Sequence, residues 1–203
     1  SFCDGCQICR RCYGGVHSGL SAPGMSAVCP GVSVNQPAAD RNTLLHQHKT
    51  HHYAALTADG SLAPRRGVAE LIKACQDASV LLALCTSTSV ENVEAIRAAL
   101  GNALDFRAFS SITTIDKIGA VKPAPDAYLH CLSQLGLAAH EVVAIEDTPV
   151  SMASALAAGI AVIATPGAMT DEQDFAGGAM KIDHLEALTL KELDGVLMAS
   201  THA

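Results

Sequence analysis

Three short runs of unbroken apolar residues do most to limit what this chain can fold into. They lie at 80–85 (Val-Leu-Leu-Ala-Leu-Cys), 142–145 (Val-Val-Ala-Ile) and 160–164 (Ile-Ala-Val-Ile-Ala). Apolar runs this short, with no polar alternation, suit strands covered on both faces, the habit of parallel sheets. Between them apolar residues recur at helical spacing. The segment 67–77 reads as a helix with Val68, Leu71, Ile72 and Cys75 inward. Further helices are expected over 90–100, 125–135, 150–158 and 188–198, with Pro125 in a first turn and Gly136 at an end. Residues 109–113 read as a short strand and 180–182 as a weak one. The alternation predicts an α/β fold, a doubly wound parallel sheet with its site at the strand C-termini.

Upstream the character differs. Five of the eight cysteines fall in the first 29 residues, amid Gly, Ser and Pro and without sustained periodicity. Residues 1–42 are therefore expected to be an irregular Cys/Gly-rich segment. Over 43–59, Leu44, Leu45, His48, His52 and Leu56 keep helical spacing, and 60–203 is the α/β core. Cys3, Cys6, Cys9 and Cys12, spaced by three, have the look of a metal or iron-sulfur ligand set. The last gap is one residue shorter than the ferredoxin run, and the strict spacing crowds a zinc tetrahedron. Two readings stay open: sequence foreign to the core, as from a frameshift or misread exon, or a metal-binding arm. His48 and His52 share a helix face within His46, His48, His51 and His52, yet no carboxylate or cysteine stands beside them, which favours solvated or core-packed rings.

Lys+Arg 13 against Asp+Glu 20 gives a net charge of −7, and with 49% hydrophobic and 16% charged residues wholesale disorder is excluded. No basic run exists to engage nucleic acid or an anionic membrane surface. The longest apolar run is too short to span a bilayer, and the chain's first residues lack the apolar stretch of a secretory signal, so none is expected. Cys75, Cys85 and Cys131 sit in apolar surroundings as small buried hydrophobes. The expectation is a soluble cytoplasmic protein, or one of the plastid stroma, whose partner is a small molecule.

Three polar features fall where such a sheet builds its site. Thr86 follows an apolar strand directly, Lys122 stands in Val121-Lys122-Pro123-Ala124-Pro125-Asp126 before a helix, and Glu146-Asp147 end a third strand. A hydroxyl and an ammonium suit phosphoryl oxygens, and a carboxylate pair suits Mg²⁺.

The stretches Leu-Ala-Leu-Cys-Thr-Ser-Thr-Ser, Val-Lys-Pro-Ala-Pro-Asp-Ala-Tyr and Ile-Glu-Asp-Thr with a later Ala-Ala-Gly resemble the second to fourth motifs of haloacid dehalogenase-like phosphatases. Within them the chain is similar to the beta-phosphoglucomutase-like branch and its CbbY-type members. Its Leu45-His46, Lys49-Thr50, Tyr53, Pro64-Arg65-Arg66-Gly67-Val68, Thr165-Pro166, Thr170 and Asp174-Phe175 carry that finer likeness, which covers about residues 43–187. The resemblance implies a haloacid dehalogenase-like core with an incomplete cap, of which 43–59 is a remnant and 60–67 the hinge. It implies that Thr86 and Ser87 bind the phosphoryl group, that Lys122 neutralises charge on it, and that Asp147, assisted by Glu146, binds Mg²⁺. Lys49 and Tyr53 would help select a small sugar-phosphate substrate, of the xylulose 1,5-bisphosphate kind. Two departures are tolerable: Ser151 stands for a usual Gly and Arg66 for a usual Pro. A third is not. The first motif, a strand ending Asp-x-Asp-Gly-Thr, is not found; Phe2-Cys3-Asp4-Gly5-Cys6 mimics its end but puts Phe2 at the nucleophile. The expectation is a phosphatase core that is inactive as this chain. The alternative is a non-catalytic phosphate-binding fragment with a Cys-rich metal-binding arm.

Overall fold

The computed structural model of the protein describes residues 62–167 and 170–200, with the single positions 37, 40 and 44. The expectations for Lys49, Tyr53, the histidine stretch and the N-terminal cysteines fall outside the described residues. Along the described chain, helix α1 (Val68–Asp77) leads to strand β1 (Leu82–Cys85), α2 (Val90–Leu100) and β2 (Phe109–Thr113). Then come α3 (Asp126–Leu135), β3 (Val143–Glu146), α4 (Pro149–Ala157), β4 (Ala161–Ala164), β5 (Met180–Lys181) and α5 (Leu190–Ser200).

Among the described residues every strand pair is parallel, as the apolar runs predict: β1 with β2, β3 with β4, and β4 with β5. The pairing departs from the one parallel sheet expected. Among the described residues β1–β2 and β3–β4–β5 are two sheets, so β1 finds its partner in β2 and not in β3. The first strand also begins two residues late. Val80 donates its N–H back to the Cys75 carbonyl at 2.8 Å in the turn closing α1, and Ser79 takes φ 58° there. Val80 and Leu81 are left about half exposed, outside the ladder.

Strand β4 shows why the fold is doubly wound. Val162 and Ala164 pack with Tyr128 and Leu132 of α3 and Met152 and Ala155 of α4. Ile163, pointing the other way as strand periodicity requires, packs with Leu71 and Cys75 of α1 and Val196 of α5. Helices thus cover both faces.

Local capping departs from the sequence at α2 and α3. Four hydroxyl residues precede α2, yet Val90 N–H donates to Asp116 Oδ2 at 2.9 Å and Ser89 makes no cap bond. Thr86 Oγ1 instead accepts from Thr88 N–H at 3.2 Å, and Thr88 Oγ1 accepts from Asn92 Nδ2 at 2.8 Å. Pro125 is the cap of α3 and not a residue of its first turn, while Gly136 closes that helix at φ 67° as expected. Thr148 caps α4, accepting from Ser151 N–H at 3.2 Å. Ahead of α1, the Arg65 guanidinium donates to the carbonyls of Thr165 and Pro166, each at 2.8 Å, tying the start of the core to the end of β4. No helix among the described residues is long and apolar enough to cross a membrane.

Candidate functional site

Glu146 is the last residue of β3 and Asp147 the first beyond it. The parallel ladder continues one step past β4, where Thr165 N–H donates to the Glu146 carbonyl at 2.8 Å. The acid pair is therefore held at the C-terminal edge, where open parallel sheets gather their ligands.

Lys122 reaches this edge from the segment between β2 and α3. Its Nζ donates to Glu146 Oε1 at 2.7 Å, to the Cys85 carbonyl at the end of β1 at 3.3 Å, and to Tyr128 Oη at 3.3 Å. Three acceptors meet three ammonium protons. The same Nζ lies 4.7 Å from the centre of the Tyr128 ring. Tyr128 O–H in turn donates to Glu146 Oε1. The Lys122 and Glu146 side chains are only 6% and 10% exposed, so each charge depends on the other for its solvation.

The buried setting moves two neighbouring acids. Burial first, then the Glu146 charge and hydrogen bond, pushes the Tyr128 hydroxyl far above its ordinary range, so it stays a donor. Burial pushes the Cys85 thiol up to about 12; Lys122 pulls it down in part, and Cys131 and Glu146 add to the rise.

Of the residues singled out by sequence, Lys122 and Glu146 are thus in direct contact, and Asp147 follows Glu146. Thr86 is next in chain to Cys85, whose carbonyl Lys122 binds; its N–H donates to the Thr113 carbonyl at 2.9 Å. Its hydroxyl oxygen is already an acceptor, which leaves the hydroxyl proton to donate. Ser87 is exposed beside it. Tyr128 has no role in the sequence reading although it ends one of the quoted motifs. The available signal was its helical position: a Tyr on the inward face of α3 must find a polar partner for its hydroxyl. Among the described residues no three His, Cys, Asp or Glu side chains stand together as a ligand set. The acid pair offers hard oxygen donors, and Mg²⁺ asks for one or two carboxylates completed by water and phosphate oxygens. The donors present fit that ion.

Residues 32–159 match the haloacid dehalogenase-like hydrolase family. The chain is 38% identical over 143 residues to Protein CbbY of Rhodobacter capsulatus, covering 70% of this chain and 63% of that protein. It is equally identical, over 70% of this chain and 56% of the relative, to the plasmid Protein CbbY of Cupriavidus necator. The chain thus spans less than two thirds of these relatives. Among solved structures, CbbY from Rhodobacter sphaeroides in complex with phosphate superposes with a TM-score of 0.69 at 34% identity, over 80% of this chain and 71% of that one. A mutant of the same protein in complex with xylulose 1,5-bisphosphate gives 0.71 at 31% identity, over 89% and 81%.

Proposed function

We propose, on the premise that this chain belongs to the haloacid dehalogenase-like hydrolase family and to its CbbY-type branch, that it serves hydrolysis of a sugar phosphomonoester with Mg²⁺ as cofactor. Xylulose 1,5-bisphosphate or a close analogue is the substrate, by likeness to the relative that holds it. One observation carries the reading: a buried ammonium, Lys122, is held between the end of β1 and the acid at the end of β3.

From there each residue has a task. A phosphoryl dianion arriving at the edge takes the place of one neutral acceptor of Lys122, the Cys85 carbonyl or Tyr128 Oη, each at 3.3 Å. The bond to Glu146 at 2.7 Å persists, because a charged acceptor holds an ammonium more strongly than a neutral one. Thr86 donates its hydroxyl proton to a phosphoryl oxygen, with Ser87 beside it. Asp147 would hold Mg²⁺ with Glu146 assisting, and the bound ion would offset phosphoryl charge. Lys49 and Tyr53 would select the sugar. The free thiols of Cys75, Cys85 and Cys131 suit a reducing compartment, cytoplasm or stroma.

The 203 residues contain no Asp-x-Asp-Gly-Thr, and covalent transfer through an aspartyl phosphate needs that carboxylate. The 203-residue chain by itself is therefore expected to bind phosphate and Mg²⁺ but to turn over slower than a complete relative by a factor on the order of 10⁶. The test pairs calorimetric binding of phosphate and Mg²⁺ with phosphate release from a panel of sugar bisphosphates. Absence of both binding signals would overturn the site. Rapid release that Asp147→Asn abolishes would overturn the expected inactivity and point to Asp4 as a substitute carboxylate.

A further inference from the structure

We infer that Thr170 is a positioning residue for Asp147, fixing the backbone from which that carboxylate is aimed; the inference rests on the reading of Asp147 as the cation's ligand. The direction of a side chain's first bond is set by its residue's φ and ψ, and these are fixed when the peptide planes on both sides are fixed. At Asp147 both planes are held from the segment that follows β4. The plane before it is held by Thr165 N–H, which donates to the Glu146 carbonyl at 2.8 Å. The plane after it is held by Thr170 Oγ1, which donates to the Asp147 carbonyl at 2.7 Å.

The first bond is backbone to backbone and survives any side-chain change. The second belongs to one hydroxyl. That hydroxyl is oriented in its turn: Gly167 N–H donates to Thr170 Oγ1 at 3.0 Å, so the oxygen's proton points onward to Asp147. A competing acceptor, the Gly167 carbonyl, lies at 3.4 Å and is too far to take it. Downstream, Thr148 is locked as the cap of α4 by Ser151 N–H and Met152 N–H, so the Asp147–Thr148 peptide has a fixed far side as well. A β-branched hydroxyl 23 positions away in sequence is the side chain that completes this frame.

A merely structural threonine would affect stability alone, and a positioning one must affect cation affinity. The probe is Mn²⁺, which takes the same oxygen donors as Mg²⁺ and is followed by electron paramagnetic resonance on the 203-residue chain. Thr170→Val keeps the shape and removes both hydroxyl bonds; Thr170→Ser keeps them. Thr170→Val is expected to weaken Mn²⁺ binding about tenfold or more, the usual effect of losing a partner that orients a ligand. Thr170→Ser should restore it to within about twofold. Asp147→Asn should remove the site. Should Asp147→Asn lose Mn²⁺ while Thr170→Val binds like the parent, or should Ser fail as badly as Val, the role of Thr170 is overturned and the reading of Asp147 stands. Should Asp147→Asn bind Mn²⁺ like the parent, the ligand assignment itself fails and this inference falls with it. If Thr170→Val does not fold, Thr170→Ala and Thr170→Ser decide by the same comparison.

Discussion

Tyr128 shows how much one side chain decides at this site. Its hydroxyl and the Lys122 ammonium share a single carboxylate oxygen, Glu146 Oε1, so the phenol helps solvate a buried negative charge. Hydrogen bonds to charged groups contribute about 1.5–3 kcal/mol. Tyr128→Phe should lower unfolding free energy by about that amount in urea titrations, and a change below about 0.5 kcal/mol would show the hydroxyl bond to be idle. Cys85 supplies a prediction in pH. Its thiol is raised from an ordinary 9.0 to about 12, chiefly by burial, so the folded state keeps a proton that the unfolded state gives up. Between those values the unfolded chain binds fewer protons, and stability must fall as pH rises. The contribution is complete below about pH 9 and lost toward pH 12, with a slope of at most about 1.4 kcal/mol per pH unit for this group. Cys85→Ala should flatten that slope between pH 9 and 10.5 in denaturant titrations; an unchanged slope would assign it to other groups. The burial of Cys85 is legible in its apolar run, but the Lys122 and Glu146 charges that act on Cys85 and Tyr128 are brought beside them only by the tertiary fold.

At the scale of elements, α1 meets the segment before α5 at a close backbone approach. Gly67 caps α1 at φ 83°, and a Cβ there would overlap the main chain of Leu185 and Glu186. Arg66 beside it pairs with Glu186 at 2.6 Å in an exposed contact. Gly67→Ala must therefore adopt a left-handed backbone and also push back the 185–186 main chain. A loss of about 3 kcal/mol or more is expected, seen as a melting temperature lower by roughly 6–12 °C. A loss under about 1 kcal/mol would mean that the segment yields. Arg66→Ala, by contrast, should change little, since exposed pairs contribute about 0–1 kcal/mol. The element boundaries themselves were largely readable: 90–100 and 109–113 are as the periodicity predicts. The cap of α2 was not, because Asp116 is 26 residues from Val90 and no local pattern announces it.

For the whole molecule, the Lys122–Glu146 pair bridges the end of the β1–β2 sheet and the end of the β3–β4–β5 sheet. Removing one partner of a buried pair strands the other, at about 3–5 kcal/mol, whereas replacing both with apolar groups is often near neutral. Lys122→Met and Glu146→Leu should each be strongly destabilising and the double variant far less so, as read in a double-mutant cycle of urea unfolding. Additive losses would show that the two charges do not depend on each other. The sequence by itself determined the parallel α/β architecture, since unbroken apolar runs alternating with amphipathic helices have few other ways to be covered. It also determined the polar residues that would lie at the strand ends, because strand C-termini in such a fold share one edge. Only the tertiary structure decided that β1 pairs with β2, that Lys122 spends its protons on Cys85, Tyr128 and Glu146, and that Thr170 grips Asp147. Those are contacts between residues 6 to 37 positions apart, set by the way the loops return to the sheet edge, and no local spacing encodes that return.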